Sequence, residues 1–225
     1  WILEYRGIQK LIGTYIENFI KNADKNGCVK FQLNQTRADT GRFSASGGYG
    51  LLEDGYSGVN CQNISASQAG SPDLRKGIVA RDGFKIVAID YSGEELRIAT
   101  NLSNEPKWVN EFLHGTGDIH SITTRDVYDT SEEKMTKEKW KELRGIGKQI
   151  NFLTIYGGGA NRFSAVANVP IDKAQMMLIK FFRSLPTLKK WIDGEKIRSR
   201  KRGYSMTAFG RRRSLAHLYN SGDPR

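Results

Sequence analysis

With 225 residues, 38% of them hydrophobic, and 24 glycines, the chain can bury a sizeable core in one or two domains. That composition excludes a disordered tail, a collagen-like fibre and a disulfide scaffold. No run approaches the roughly 18 uninterrupted apolar residues of a membrane helix, so a membrane-spanning protein is not expected. Thirty-five Lys and Arg against 24 Asp and Glu give a net charge of +11, which favours a polyanionic partner, nucleic acid before an acidic membrane surface.

The opening Trp1-Ile2-Leu3-Glu4-Tyr5-Arg6 lacks the ordered segments of a signal peptide and reads as mid-helix. A piece of something longer is expected. Trp1 to Asn22 is predicted as a helix, with Ile2, Tyr5, Ile8, Ile12, Ile16 and Phe19 at three- or four-residue spacing on its core face. Asn26-Gly27 marks a turn, and Val29, Phe31 and Leu33 alternate with polar residues as in a half-buried strand. Thr36 to Gly58 is polar and rich in Gly and Ser, as turns and short strands are. Lys85-Ile86-Val87-Ala88-Ile89 reads as a central strand ending at Asp90. Helical sequence follows from Glu94 to about Arg202, with breaks at Pro106, Gly115-Gly117, Gly157-Gly159, Pro170 and Pro186. Tyr204 to Phe209 then reads as a strand returning to the sheet. Cys28 and Cys61 are far apart and lack metal-ligand spacing, so both are expected as free thiols of a reducing compartment.

Three segments carry candidate chemistry. In Asp90-Tyr91-Ser92-Gly93-Glu94-Glu95-Leu96-Arg97, an acid between a strand and a helix suits a hard cation such as Mg²⁺; a plain helix cap is the alternative. In the helix from Leu143 to Gly157, Leu143, Ile146, Ile150 and Leu153 share a core stripe, while Arg144, Lys148, Phe152 and Tyr156 recur every fourth residue on the other side. At 1.5 Å rise per residue that row is roughly 18 Å long. It suits a ligand with phosphates at one end and a ring at the other; the alternative is a second buried face with snorkelling cations. Gly145 beside it leaves room for close approach. Between Trp191 and Arg213, Lys196, Arg198, Arg200, Lys201, Arg202, Arg211, Arg212 and Arg213 face only Asp193 and Glu195, interrupted by Tyr204 and Phe209. A structured basic ribbon of this kind fits phosphate-backbone contact. P-loop, Gly-x-Gly-x-x-Gly and Gly-x-Ser-x-Gly motifs are absent, and His114, His120 and His217 make no zinc motif with the cysteines.

Taken in order, these segments resemble the family A DNA polymerases, the group of bacterial DNA polymerase I and many phage replicases. The resemblance rests on Thr40-Gly41-Arg42-Phe43-Ser44 with Gln62-Asn63-Ile64, on the Asp90–Arg97 segment as motif A, and on Asp118-Ile119-His120. It continues through Arg144, Lys148, Asn151, Phe152 and Tyr156-Gly157 as motif B, and Gly203-Tyr204 to Thr207 with Gly210-Arg211-Arg212-Arg213. It implies an α+β right-hand polymerase architecture, with an antiparallel palm sheet, here incomplete, and a helical fingers insertion. The expected parts are a thumb-base helix and first palm strand over 1–35, palm with motif A over 36–100, fingers over 101–190, and a basic helix and strand leading back to the palm over 191–225.

The resemblance also implies residue roles. Asp90 and the Tyr91 carbonyl would hold metal, two Mg²⁺ ions being the expected cofactor. Arg144, Lys148 and His120 would hold the triphosphate, with Lys148 also a proton donor to pyrophosphate. Phe152 would meet the sugar, Tyr156 the templating pocket, and Glu95 would exclude a ribose 2′-hydroxyl. Arg42, Gln62, Asn63, Arg200, Lys201, Arg202, Arg211 and Arg212 would contact DNA. Gly93-Glu94 departs from the family's usual Gln-Ile, and no motif C His-Asp-Glu occurs in the 225 residues. The expectation is therefore a DNA-directed DNA polymerase working in the cytoplasm of a bacterial or phage-infected cell on primer–template DNA and deoxynucleoside triphosphates, with a second polypeptide supplying motif C. A non-catalytic DNA-binding remnant or subunit and a single-subunit RNA polymerase relative are the alternatives, with Glu95 as gate arguing against the last.

Overall fold

A computed structural model describes residues 1–38, 40–46, 58–64 and 73–216, without the side chains of Leu3 and Asn63. Most of the predicted Gly- and Ser-rich stretch, and His217, lie outside the described residues. The chain forms two compact units, Trp1–Ala88 and Ile89–Arg225, a boundary that falls inside the expected 36–100 segment.

In the first unit the predicted opening helix forms as α1 (Ile2–Lys10), a π-helical stretch (Leu11–Ile16) and α2 (Glu17–Lys21). Its expected core face is not buried among the described residues: Ile2, Tyr5 and Ile8 stay exposed. The Asn26-Gly27 turn is closed by the Asp24 carboxylate, whose Oδ1 accepts from the backbone N–H of Asn26 and of Cys28, both at 2.9 Å. Gly27 supplies the positive φ of 73° that this turn needs. Strand β1 (Gln32–Asn34) pairs antiparallel with β2 (Ser44–Ser46), Leu33 opposite Ala45. The half-buried strand expected around Phe31 and Leu33 is thus shorter, and both side chains are exposed. Cys28 and Cys61 are free and partly buried.

The expected central strand at Lys85–Ile89 is corrected by the structure. No described segment pairs with it, so it has no hydrogen-bonded neighbour to make it a strand, and Ile89 is 88% exposed. Its apolar residues stand uncovered, which a sequence reading based on hydrophobicity counts as burial.

The second unit is the predicted helical array, broken where proline and glycine required. It comprises α3 (Glu94–Ser103), α4 (Pro106–His114), α5 (Ile119–Tyr128), α6 (Lys137–Ile155), α7 (Ala160–Ala167), α8 (Ile171–Ser184) and α9 (Pro186–Arg202). Trp108, Ile119, Ile150, Phe163, Phe181 and Leu188 form its dry centre, with the Trp108 and Phe181 rings 6.4 Å apart. Glu105 is buried at the start of α4, where Oε1 accepts from the Lys107 N–H at 3.3 Å. Its Oε2 accepts from the Thr187 and Leu188 N–H groups, each at 3.0 Å, so one carboxylate caps α4 and α9 together.

Among the described residues, strand β3 (Tyr204–Met206) does not return to a larger sheet. It pairs antiparallel with β4 (Arg212–Ser214) as a hairpin, because Gly210 at φ 83° lets the chain double back within a few residues. The fold is therefore α+β, mostly helical with small antiparallel sheets.

Candidate active site

Asp90 sits just before α3, exposed and in no strand, so the expected rigid sheet-edge carboxylate is corrected. Nor is it the helix cap: the N-cap is Gly93, in the left-handed region at φ 62°, and no side chain bonds there. Tyr91 and Glu94 are exposed beside it. Glu95, one residue into α3, accepts a hydrogen bond from the Tyr156 hydroxyl at the C-terminal end of α6. Motif A and the end of motif B are thus joined inside one unit.

Helix α6 is capped by Thr136, whose hydroxyl accepts from the Lys139 N–H, and ends before Gly157 at φ 75°. Its buried stripe runs through Trp140, Leu143, Gly147, Ile150, Asn151 and Thr154. The stripe is rotated from the predicted one, with Ile146 and Leu153 only half-buried. On the other side Lys148 and Tyr156 are exposed, whereas Arg144 and Phe152 are half-buried. Each of these two leans on α5.

Arg144 makes a two-pronged pair with Asp118, Nε to Oδ2 and Nη2 to Oδ1, both at 2.9 Å. Asp118 also caps α5, accepting from the Ser121 N–H and hydroxyl. Burial raises its carboxyl, but the hydrogen bonds from Arg144 and Ser121 prevail and hold it at about 2. The His120 ring lies 5.7 Å from that of Phe152, and Lys148 Nζ is 5.9 Å from the Phe152 centroid. Burial, helped by the charge of Arg144 and Lys148 and opposed by Asp118, lowers His120 to about 4. At neutral pH the corner therefore presents the Lys148 ammonium, the Arg144 guanidinium ion-paired with Asp118, a neutral imidazole and an aromatic face.

The close approach of α5 to α6 depends on Gly147. A Cβ there would stand 2.3 Å from Thr124 Oγ1 and 2.9 Å from the His120 carbonyl oxygen, while one at Gly145 would meet nothing. The sequence reading singled out Gly145 and missed Gly147, Asp118 as Arg144's partner, and Asn151 as a contact of His120. The available signal was the run of small and polar residues, Gly147, Asn151 and Thr154, on the face that should have been apolar.

In the first unit Gln62 joins the two halves of its predicted motif. Its Oε1 accepts from the Ala45 N–H at 2.6 Å and its Nε2 donates to the Phe43 carbonyl at 3.1 Å. Among the described residues its second amide N–H and second oxygen lone pair have no further partner. Arg42, beside it, is exposed.

The basic ribbon is structured, as expected. Arg200, Lys201 and Arg202 form the exposed last turn of α9, and Arg211 and Arg212 lie exposed on the hairpin. The Tyr204 ring holds the two segments together, with the Arg202 guanidinium 5.6 Å and that of Arg212 5.0 Å from its centroid. Among the described residues no helix is long and apolar enough to cross a membrane, and no group of three His, Cys, Asp or Glu is placed to hold a metal ion.

Known proteins resemble this chain in sequence and in fold. The profile of DNA polymerase family A matches residues 1–224. The thermostable DNA polymerase I of Thermus thermophilus is 34% identical over 218 residues, covering 96% of this chain and 24% of that protein. The DNA polymerase I of Deinococcus radiodurans is 30% identical over 218 residues, 96% of this chain and 21% of its own length. The chain thus spans about a quarter of the length of these relatives. Among solved structures, the POL domain of Pol1 from M. smegmatis, in complex with DNA primer-template and dNTP, matches 99% of this chain and 36% of its own, with a TM-score of 0.79 and 25% identity. The chain belongs to DNA polymerase family A.

Proposed function

We propose that the chain is the nucleotide-holding part, palm and fingers, of a DNA-directed DNA polymerase that extends a primer 3′-hydroxyl in DNA replication. The observation that carries the reading is the corner between α5 and α6, where Arg144, Lys148, His120 and Phe152 stand together. The Lys148 ammonium, the Asp118-oriented Arg144 guanidinium and a neutral N–H donor suit a triphosphate, and the phenyl face suits the sugar. Preorganised charge of this kind stabilises what accumulates on a leaving pyrophosphate, and Lys148, exposed and without an ion pair among the described residues, is the proton donor. Glu95, tethered to Tyr156, closes the sugar side against a 2′-hydroxyl, which supports deoxynucleotides over ribonucleotides.

In the second unit Arg200, Lys201, Arg202, Arg211 and Arg212 would contact DNA; in the first unit Arg42, Gln62 and Asn63 would do so at the primer end. These contacts neutralise phosphates more than they read bases. Two Mg²⁺ ions belong to the reading by family likeness. The described residues do not by themselves fit such a pair, since Asp90 and the Tyr91 carbonyl are too few ligands for two clamped ions. Further carboxylates come from outside the described residues, and a motif C segment, in whatever chain carries it, is the proposed source.

The test is fluorescence-detected binding of a deoxynucleoside triphosphate to the chain with primer–template DNA. Lys148→Ala and Arg144→Ala should each weaken binding roughly 10-fold or more; equal affinities in all three proteins would refute the assignment of this corner.

A further inference from the structure

Asn151 is fully buried in α6, and both ends of its amide are engaged. Its Oδ1 accepts from the Thr123 hydroxyl at 2.8 Å, and its Nδ2 lies 2.9 Å from Nδ1 of His120. The two histidine nitrogens therefore differ in kind. Nδ1 faces the buried amide, whereas Nε2 has no hydrogen-bond partner among the described residues. With the Thr123 proton directed at Oδ1, the amide offers His120 only an N–H. In that amide orientation Nδ1 is the acceptor, which assigns the ring proton to Nε2.

The backbone around the ring is held as well. The Thr124 hydroxyl donates to the His120 carbonyl at 2.8 Å, and Gly147 lets α6 come close enough for the amide to reach. The charged groups around the ring are Asp118 and Arg144, which neutralise one another, and Lys148.

We propose that Asn151 is a positioning residue that fixes His120 as a neutral donor, its proton on Nε2, for a phosphate oxygen of the incoming nucleotide. The inference rests on the reading of the α5–α6 corner as a triphosphate site. The wrong tautomer would present a lone pair to a phosphate oxygen and repel it. The charged ring would add a further positive charge beside Lys148 and slow release of pyrophosphate.

The test is long-range nitrogen–proton NMR of the whole chain labelled at histidine, with His120→Gln used to assign the His120 signals. The result expected is an Nε2–H pattern for His120 that stays neutral down to about pH 5. Asn151→Asp places a carboxylate opposite Nδ1, so the proton should move to Nδ1 and the ring should titrate at higher pH. Should that variant fail to fold, Thr123→Val removes the hydroxyl that orients the amide and should give a mixture of tautomers. An Nδ1–H pattern in the unmodified chain, or an unchanged tautomer in Asn151→Asp, would overturn the proposal.

Titration with a deoxynucleoside triphosphate separates the two layers of the inference. The Nε2–H signal should move as the ligand saturates. Saturation without movement would overturn the phosphate-donor role, and with it the reading of His120 above, whatever the tautomer spectrum gives.

Discussion

The Tyr156 hydroxyl donates to the Glu95 carboxylate, across 61 positions of sequence, so the start of α3 and the end of α6 are fixed to one another. If Glu95 excludes the 2′-hydroxyl, its position depends on that donor. Tyr156→Phe keeps the ring and removes the hydrogen bond. It should raise ribonucleotide incorporation several-fold, with Glu95→Ala raising it further, measured by primer extension with mixed nucleotides in the complemented enzyme. Unchanged discrimination in both variants would remove Glu95 from the sugar pocket.

Acid should weaken the second unit in two steps. His120 titrates at 6.5 when unfolded and about 4 when folded, so the unfolded chain binds its proton first and stability falls as pH drops from about 6.5 to 4. Asp118 titrates at 3.8 unfolded and about 2 folded, so its ionised form stabilises the fold above about pH 4 and is lost towards pH 2. Thermal melting across pH 2–8 should show both steps, and His120→Gln should flatten the upper one alone.

Gly147 is where the α6 backbone comes close to α5. Gly147→Ala should destabilise the unit by about 1–3 kcal/mol through overpacking against Thr124 and the His120 backbone, despite the higher helix propensity of alanine. Gly145→Ala meets nothing and should be neutral or slightly stabilising. Urea denaturation of the two variants provides the comparison.

Glu105→Ala should lose about 1–3 kcal/mol, because it strips an acceptor from backbone N–H groups at the starts of α4 and α9. Glu105→Gln keeps an acceptor oxygen and should lose less. The same denaturation curves check this.

What the sequence made legible follows from what kind of force shaped each part. The helical array was readable because proline and glycine end helices locally, and Pro106, Pro170 and Pro186 each stand at a start of one. Lys85–Ile89 was misread because a strand is a relation between segments, and no described segment pairs with it. The Arg144, Lys148, Phe152 and Tyr156 row was legible from its four-residue spacing. Its partners Asp118, His120 and Glu95 come from other helices, and helix periodicity carries no information about them. The buried contacts of Asn151 and Gly147 were hidden for the opposite reason: they sit on the buried face, where a periodicity reading seeks apolar bulk.

Reversing Arg200, Lys201 and Arg202 to Glu should weaken binding to primer–template DNA. It should also flatten the slope of log K against log salt by about 2–3, near 0.9 for each phosphate that is no longer neutralised. Fluorescence anisotropy at several salt concentrations measures the slope, and an unaltered slope would take the end of α9 out of the DNA footprint.

The central claim is that these residues hold the nucleotide in a polymerase whose remaining carboxylates come from outside the described residues. The most direct measurement is a primer-extension gel with this chain alone, with a polypeptide carrying motif C, and with that polypeptide and Asp90→Asn. Template-directed extension should appear only in the mixture and vanish with Asp90→Asn, because the amide keeps the shape of the carboxylate and loses its charge. Robust extension by this chain alone, or inactivity of a mixture shown to associate, would contradict the account.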